Sequence, residues 1–336
     1  LFLKEKEMLV AMRSYQALHK SGELKKRAEK ANALLPKCTL CPRDCSADRT
    51  QGSSGACRSS DALKISSILP HFGEEPPFTG LKGAGAVFFS DCNLKCVYCQ
   101  NYEISWEGLG NYFTPEKLAE AMIHLQEQGC HNIDLVSPTH VVPQWLKALD
   151  IAAGRGLSIP LIYNSGGYDS LPILKLLEGV VDIYMPDMKY WDEQTAKRLS
   201  GIFRYPQFNQ AAVKEMFRQV GSLQIDENGI AQKGLMIRHL ILPNHLQESF
   251  HILKFVRDQL SREVPISLMS QYHPCFNATR IELLNRPISK EEYETVLEWF
   301  EELGLTAGFQ QDLSSVDCGL PSFRQRAGSP FIWQES

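Results

Sequence analysis

At 336 residues with 43% apolar side chains, the chain is globular, long enough for one large domain plus an appendage. Its formal net charge of -4 gives no electrostatic reason to expect a nucleic-acid partner, and the densest basic run, Lys25-Lys26-Arg27, sits among glutamates as a solvated helix face. No apolar run approaches the ~20 residues that span a bilayer, and Leu1 to Glu7 is too charged for a secretory signal core, so no membrane partner and a cytoplasmic, reducing location are expected.

Residues 1–35 place Met8, Met12, Tyr15 and Leu18 at helical spacing among charges, which predicts an amphipathic helical segment that needs a surface to pack on. Residues 36–80 shift to Cys, Ser, Gly and Pro without sustained periodicity, the composition of a small metal-stapled module followed by an irregular linker. Gly83-Ala84-Gly85 precedes a strand where a dinucleotide fingerprint must follow one, so it reads as a turn. Residues 81–310 then alternate short β-branched or aromatic runs with helical patterns, and residues 311–336 are a tail.

Predicted strands are Ala86 to Ser90, Ile133 to Ser137, Pro160 to Asn164, Asp182 to Pro186, Leu235 to Leu242 and Ile266 to Gln271, with a weaker one at Thr306 to Gln310. Thr114-Pro115-Glu116 and the capping box at Ser289 to Glu292 start helices between and after them. Strand-helix repetition implies parallel strands with right-handed crossovers, an α/β fold of either an open doubly wound sheet or a barrel. Six units fall short of a complete barrel; a partial (β/α)6 TIM-like barrel would leave a lateral gap for a large substrate.

Seven of ten cysteines lie in two clusters. Cys92, Cys96 and Cys99 follow directly on the first strong strand, in a loop at its C-terminal end, where parallel barrels keep their chemistry. Three thiolates can hold three irons of a [4Fe-4S] cube and leave the fourth open to a chelate such as the amino and carboxylate groups of methionine. A structural zinc site would normally assemble from separated C-x2-C pairs, whereas C-x3-C-x2-C suits one loop around one cube.

The run Cys96-Val97-Tyr98-Cys99-Gln100-Asn101 resembles the cluster loop of the radical S-adenosylmethionine superfamily, in particular its pyruvate formate-lyase activating enzymes, over most of residues 70–310. Within that group the chain is similar to a branch with an added N-terminal cysteine module, through Cys38-Thr39-Leu40-Cys41-Pro42-Arg43-Asp44-Cys45 and His71-Phe72-Gly73-Glu74-Glu75-Pro76-Pro77. The resemblance implies S-adenosylmethionine beside the cluster, with Tyr98 bordering adenine and Asn101 in the same loop. Where relatives carry a Gly-Gly-Glu-like turn, this chain has Ser137-Pro138-Thr139-His140, so Ser137, Thr139 and His140 become the amino-group candidates.

Asn164-Ser165-Gly166-Gly167 stands at the family's Asp-Thr-Asn-Gly-like turn, and Met185-Pro186-Asp187-Met188-Lys189 resembles Met-Leu-Asp-Leu-Lys. The resemblance makes Asn164, Ser165, Met185 and Asp187 candidate ligands of a monovalent cation, although neutral Asn164 replaces an anion that a hard cation prefers. Lys189 could neutralise a carboxylate and Arg238 resembles a cofactor-contacting strand arginine; each is equally readable as an ion-pair partner. His273 matches a Pro-Tyr-His-like segment that packs on adenine in relatives, or is structural.

Cys38, Cys41, Cys45 and Cys57 offer four soft ligands, enough for closed tetrahedral zinc or an auxiliary iron-sulfur cluster, and their spacing does not choose. Cys130 and Cys275 read as buried small hydrophobes, and Cys318 has no assigned role. The expected activity is reductive cleavage of S-adenosylmethionine followed by hydrogen-atom abstraction by a 5'-deoxyadenosyl radical. The resemblance implies a protein or peptide substrate such as a glycyl-radical enzyme, with a reduced flavodoxin- or ferredoxin-like electron donor. A small-molecule target, or a metal-stapled scaffold without catalysis, are the competing readings.

Overall fold

The computed structural model describes residues 12–313 and 321–324. Met8 and Cys318 lie outside the described residues, as does most of the predicted tail. Two short helices, α1 (Ser14–Lys20) and α2 (Glu23–Asn32), meet at Gly22, whose φ of 74° suits a residue without a Cβ. Tyr15, Leu24, Ala28 and Ala31 are their buried face, while Met12 is exposed ahead of α1. Of the basic run, Lys25 and Lys26 face solvent; Arg27 does not, because its guanidinium donates to Glu23 and to the Leu176 carbonyl.

Where composition predicts an irregular linker, the structure has a nine-residue strand, β1 (Leu63–His71), followed by the single turn α3 (Pro76–Thr79). Ser66-Ser67 and Pro70 mask the strand in sequence, and it is long-range antiparallel pairing with β2 (Ala84–Phe89) that makes it. Gly83, at φ 82°, turns the chain, while Ala84 and Gly85 already belong to β2. After α4 (Tyr102–Ser105), β3 (Asn111–Phe113) covers β1 only over Leu63 to Ile65, so Pro70 stands where the outer edge needs no donor.

The predicted alternation then appears in order: α5 (Pro115–Glu127), β4 (Ile133–Val136), α6 (Val142–Gly154), β5 (Leu161–Ser165), α7 (Leu171–Leu176) and β6 (Ile183–Pro186). Two helices follow, α8 (Glu193–Ser200) and α9 (Tyr205–Val220), then β7 (Gln224–Ile225), β8 (Ala231–Leu235) and β9 (Ile237–Leu240). The chain continues through α10 (Leu246–Gln259), β10 (Ile266–Met269), α11 (Lys290–Glu302) and β11 (Gly308–Gln310). Thr114 and Ser289 cap α5 and α11 with their hydroxyls, as their positions in sequence require.

The fold is mixed α/β with a largely parallel sheet. The strand order is β3-β1-β2-β4-β5-β6-β8-β7, with β11-β10-β9 as a second, parallel group. A bridge between Asp187 and Arg238 joins them, so the parallel run passes from β6 into β9. A flat sheet would separate β4 from β9 by ~14 Å. Glu74 nevertheless reaches both, hydrogen-bonding Asp134 of β4 and pairing with Arg238 of β9, so the sheet is rolled. Phe78 of α3 fills the roll with Ile162, Ile183, Met185 and Met236, closing the end from which the parallel strands start.

The helices α1 and α2 pack outside this sheet on α6. Arg13 donates to the Ser158 and Gln232 carbonyls, the Tyr15 hydroxyl to Ile159, and Lys147 to Asn32, so the predicted amphipathic segment finds its surface on the helical layer. None of the described helices is long and apolar enough to cross a membrane.

Candidate active site

The loop after β2 carries Cys92, Cys96 and Cys99 at the C-terminal ends of the parallel strands. Two non-glycine residues with positive φ, Asp91 at 69° and Lys95 at 62°, bend it. The Lys95 ammonium is held by the Ser105 carbonyl and the Trp106 indole donates to the Cys96 carbonyl at 2.8 Å, so the bend is fixed from inside. Each thiol has its own donor. Leu94 N–H reaches Cys92 Sγ at 3.4 Å, the Ser200 hydroxyl Cys96 Sγ at 3.0 Å, and the Ser105 hydroxyl Cys99 Sγ at 3.1 Å.

Burial pushes the Cys96 thiol up and the Cys99 thiol to about 12, against the opposing pull of Lys189 and the serine hydroxyls. Such thiols ionise only when cationic charge is supplied, which the irons of a cube would do. Among the described residues, no three His, Cys, Asp or Glu side chains converge as they would around a single metal ion. Three separated thiols, each with a donor already aimed at sulfur, suit the corners of a [4Fe-4S] cube better than one zinc.

Tyr98 is buried between Tyr190 and Tyr272, and its hydroxyl donates to Tyr190 at 2.7 Å. Tyr190 and Ser200 share a 2.7 Å hydrogen bond, so a chain of hydroxyls runs from Tyr98 to Cys96 Sγ. Asn101 caps α4 with its carbonyl and His273 is exposed on the far side of Tyr272 in sequence. Cys130 and Cys275 are buried as read, the Cys275 thiol 3.5 Å from the Tyr98 carbonyl.

The turn after β4 starts with Ser137 at φ 59° and coils into a short 3-10 helix over Thr139–Val141. His140 is fully buried with Nε2 2.8 Å from the Ser90 carbonyl, and burial lowers its pKa to about 3, leaving it neutral. Thr139 and Ser165 both donate to the carboxylate of Asp169, at 2.7 and 2.6 Å, and Tyr163 adds a third hydroxyl at 2.8 Å. Asp169 thus ties together two turns that the sequence reading placed separately. Asn164 points elsewhere, donating to Asp134 at 3.3 Å.

Gly167 has φ 72°, and a Cβ there would stand 2.1 Å from the Asp187 carbonyl, so the turn after β5 can press directly onto the turn after β6. Tyr205 and Asn209 of α9 seal this contact by donating to the Asp187 carbonyl. Lys189 pairs with the Asp187 carboxylate at 2.7 Å; burial lowers its pKa, but Asp187, Cys96 and Cys99 outweigh that and raise it, so it stays charged. Lys189 therefore acts on Cys96 and Cys99 as Lys95 acts on Cys92, and the Ser165 and Asp187 side chains already have protein partners. Arg238 is committed to Glu74 and Glu75, with Nε 2.9 Å from Glu75 Oε1.

Among Cys38, Cys41, Cys45 and Cys57, the structure shows pairwise influence and no convergent ligand set: Cys38 and Cys57 act electrostatically on Cys41, and Cys38 hydrogen-bonds Cys45. Burial raises the Cys41 thiol to about 12, whereas backbone N–H groups of Ala47 and Ala56 outweigh the burial of Cys45 and lower it.

Residues 87–222, which contain the triad, both later turns and Lys189, match the model of the radical SAM superfamily. Over this segment the chain is similar to the radical SAM superfamily. Two proteins of Methanocaldococcus jannaschii are similar over most of the chain. MJ0674, an uncharacterized protein, is 29% identical over 289 residues, covering 83% of this chain and 78% of the relative. MJ0808, also uncharacterized, is 25% identical over 276 residues, 75% of each. Among solved structures, Streptococcus suis SuiB bound to precursor peptide SuiA aligns with TM-score 0.45 and 11% identity over 66% of this chain and 46% of SuiB. HydG, a maturase of the [FeFe]-hydrogenase, aligns with 0.44 and 13% over 65% and 49%, and the methylornithine synthase PylB with 0.44 and 14% over 73% of each. The chain spans about half the length of SuiB and HydG.

Likeness to the radical SAM superfamily implies a [4Fe-4S] cluster and S-adenosylmethionine. The four N-terminal cysteines and Arg238 lie outside the matched segment. Sequence reading missed Ser105, Ser200, Tyr190 and Asp169, which touch the triad or its turns. Glu74 and Glu75 had a signal, since they stand in a run singled out by resemblance, but no motif marks the serines.

Proposed function

We propose that this radical SAM protein acts in the manner of a glycyl-radical-enzyme activase, taking a hydrogen atom from a glycine of a protein substrate. One observation carries the catalytic reading: three cysteine thiols, each met by a separate hydrogen-bond donor, with charged Lys189 beside two of them. Cys92, Cys96 and Cys99 would hold a [4Fe-4S] cluster, which would supply the electron for reductive cleavage of the sulfonium of S-adenosylmethionine to a 5'-deoxyadenosyl radical.

The chain's own residues prepare that event. Leu94 N–H and the Ser105 and Ser200 hydroxyls stabilise charge on sulfur, which raises the cluster's potential relative to bare thiolates. Lys189 offers its ammonium to the cofactor carboxylate, taking the place of the monovalent cation that the resemblance implies. The turns of Ser137, Thr139, His140, Asn164 and Ser165 are braced by Asp169 and Asp134, so their backbone groups present a fixed rim to the methionine end. The protein-substrate part of the reading is supported by the likeness of Cys96 to Asn101 and Met185 to Lys189 to activating enzymes. A reduced flavodoxin- or ferredoxin-like protein would donate the electron, and zinc or an auxiliary cluster would occupy the N-terminal cysteines.

The experiment is anaerobic incubation of the reconstituted, reduced protein with S-adenosylmethionine and candidate glycyl-radical proteins. Methionine and 5'-deoxyadenosine together with a protein-based glycyl radical signal are expected. Cleavage with no such signal from any partner would transfer the target to a small molecule or modified peptide.

A further inference from the structure

Arg43 stands between Cys41 and Cys45, inside the N-terminal cysteine module, where its backbone N–H serves Cys41, yet its guanidinium reaches out of the module. Its guanidinium donates to the Asn93 carbonyl at 2.5 Å and to the Leu94 carbonyl at 3.0 Å, both between Cys92 and Cys96. The same fork donates to the carbonyls of Ser200 and Gly201 at 3.3 and 3.2 Å, at the end of α8. Ser200 is the residue whose hydroxyl reaches Cys96 Sγ. Val97 N–H closes the same seam from within, donating to the Leu199 carbonyl at 2.8 Å.

We infer that Arg43 is a positioning residue for the cluster loop, through which closure of the N-terminal cysteine module fixes the loop against the end of α8. The geometry requires an arginine: its planar fork presents five donors, whereas the ammonium of a lysine is a point charge that cannot span four carbonyls on two segments. The module is also docked independently elsewhere. Buried Arg49 donates to the His140 carbonyl at 2.7 Å, and the Ser170 hydroxyl donates to the Leu40 carbonyl at 3.1 Å. With those anchors holding the module, the short Cys41-Pro42-Arg43-Asp44-Cys45 turn sets where the guanidinium falls. Pro42 and the positive φ of Asp44, 42°, restrict that turn further. The inference rests on the reading that Cys92, Cys96 and Cys99 hold the cluster.

The test has two arms on the full chain. In the first, anaerobically reconstituted wild type, Arg43→Ala, Arg43→Lys, Cys45→Ser and the Arg43→Ala/Cys45→Ser pair are challenged with an iron chelator. Arg43→Ala and Cys45→Ser are each expected to speed iron loss roughly tenfold, Arg43→Lys by less, and the pair by no more than the faster single variant. In the second arm, hydrogen exchange of Val97 is followed in the same proteins without iron, and the same ranking is expected. Wild-type exchange and iron retention in Arg43→Ala, or effects that multiply in the pair, would overturn the inference. A wild-type chain that takes up no cluster sinks the proposed function instead, and the exchange arm still decides the role of Arg43.

Discussion

The hydroxyl of Ser200 donates to the Sγ of Cys96 at 3.0 Å, joining the end of α8 to the middle of the cluster loop. A donor on a cluster thiolate stabilises the more negative, reduced state, so Ser200→Ala is expected to move the midpoint to a more negative value. Each ~1 kcal/mol of lost stabilisation corresponds to roughly 40 mV for a one-electron couple. Potentiometric titration followed by low-temperature EPR measures it. Ser200→Thr should retain the wild-type value, and an unchanged potential in Ser200→Ala would remove the hydroxyl from the cluster's electrostatics.

Arg238, its side chain 14% exposed, neutralises Glu74 and Glu75 inside the rolled sheet, where all three are largely shielded from solvent. Burial lowers the arginine's pKa, but the two carboxylates outweigh it and raise it well above its usual value. Arg238→Met removes the guanidinium that both carboxylates share and is expected to cost about 3–5 kcal/mol in urea unfolding. Adding Glu74→Gln and Glu75→Gln to that variant should recover part of the loss. A cost below about 1 kcal/mol would contradict the closed end of the roll.

Asp169 accepts three buried hydroxyls, from Thr139, Tyr163 and Ser165. Asp169→Ala strands all three and is expected to destabilise by about 3 kcal/mol or more, whereas Ser165→Ala removes one donor and should cost about 1 kcal/mol. Since both turns of the proposed methionine rim hang on this carboxylate, Asp169→Ala should also weaken S-adenosylmethionine binding, read by equilibrium dialysis. Full binding in a folded Asp169→Ala protein would dissociate the rim from the cofactor.

His239 lies under the site with Nδ1 2.7 Å from the Met188 carbonyl and Nε2 2.8 Å from the Ser249 hydroxyl. Burial lowers its pKa to about 4, against the upward pull of the Met188 hydrogen bond and Asp187, and with a further push from Lys189. Between about 6.5 and 4 the unfolded chain binds a proton there that the folded chain does not, so stability falls as pH falls through that window. The contribution of this one group is of order 3 kcal/mol. Asp182, raised to about 6 by burial, has the opposite slope in part of the window, so the comparison is between wild type and His239→Gln rather than absolute. The variant's unfolding free energy should vary less steeply with pH over that range; parallel curves would mean the histidine protonates in the fold.

The alternating core was legible because strands such as Ile183–Pro186 and Leu161–Ser165 are buried on both faces and so read as continuous apolar runs. β1 was not, since Ser66, Ser67 and Pro70 carry no strand signal and only pairing with β2 makes them extended. The triad stood out because one loop must wrap one cube and therefore keeps its ligands close in sequence. The groups that tune it, Ser105, Ser200, Tyr190 and Arg43, come from four other segments, and their side chains meet the loop only after folding. Thr139 and Ser165 were picked out as separate candidates by resemblance, but their shared acceptor, Asp169, follows Tyr168 in a turn with no chemical pattern of its own.

The most direct measurement is EPR of the anaerobically reconstituted, reduced chain before and after adding S-adenosylmethionine, with iron, zinc and 5'-deoxyadenosine quantified in the same samples. The account predicts a reduced [4Fe-4S] signal that changes when S-adenosylmethionine binds, is lost in Cys92→Ala, Cys96→Ala and Cys99→Ala, and accompanies 5'-deoxyadenosine formation. A cube whose spectrum ignores the sulfonium compound and yields no nucleoside, or zinc alone at these thiols, would contradict it.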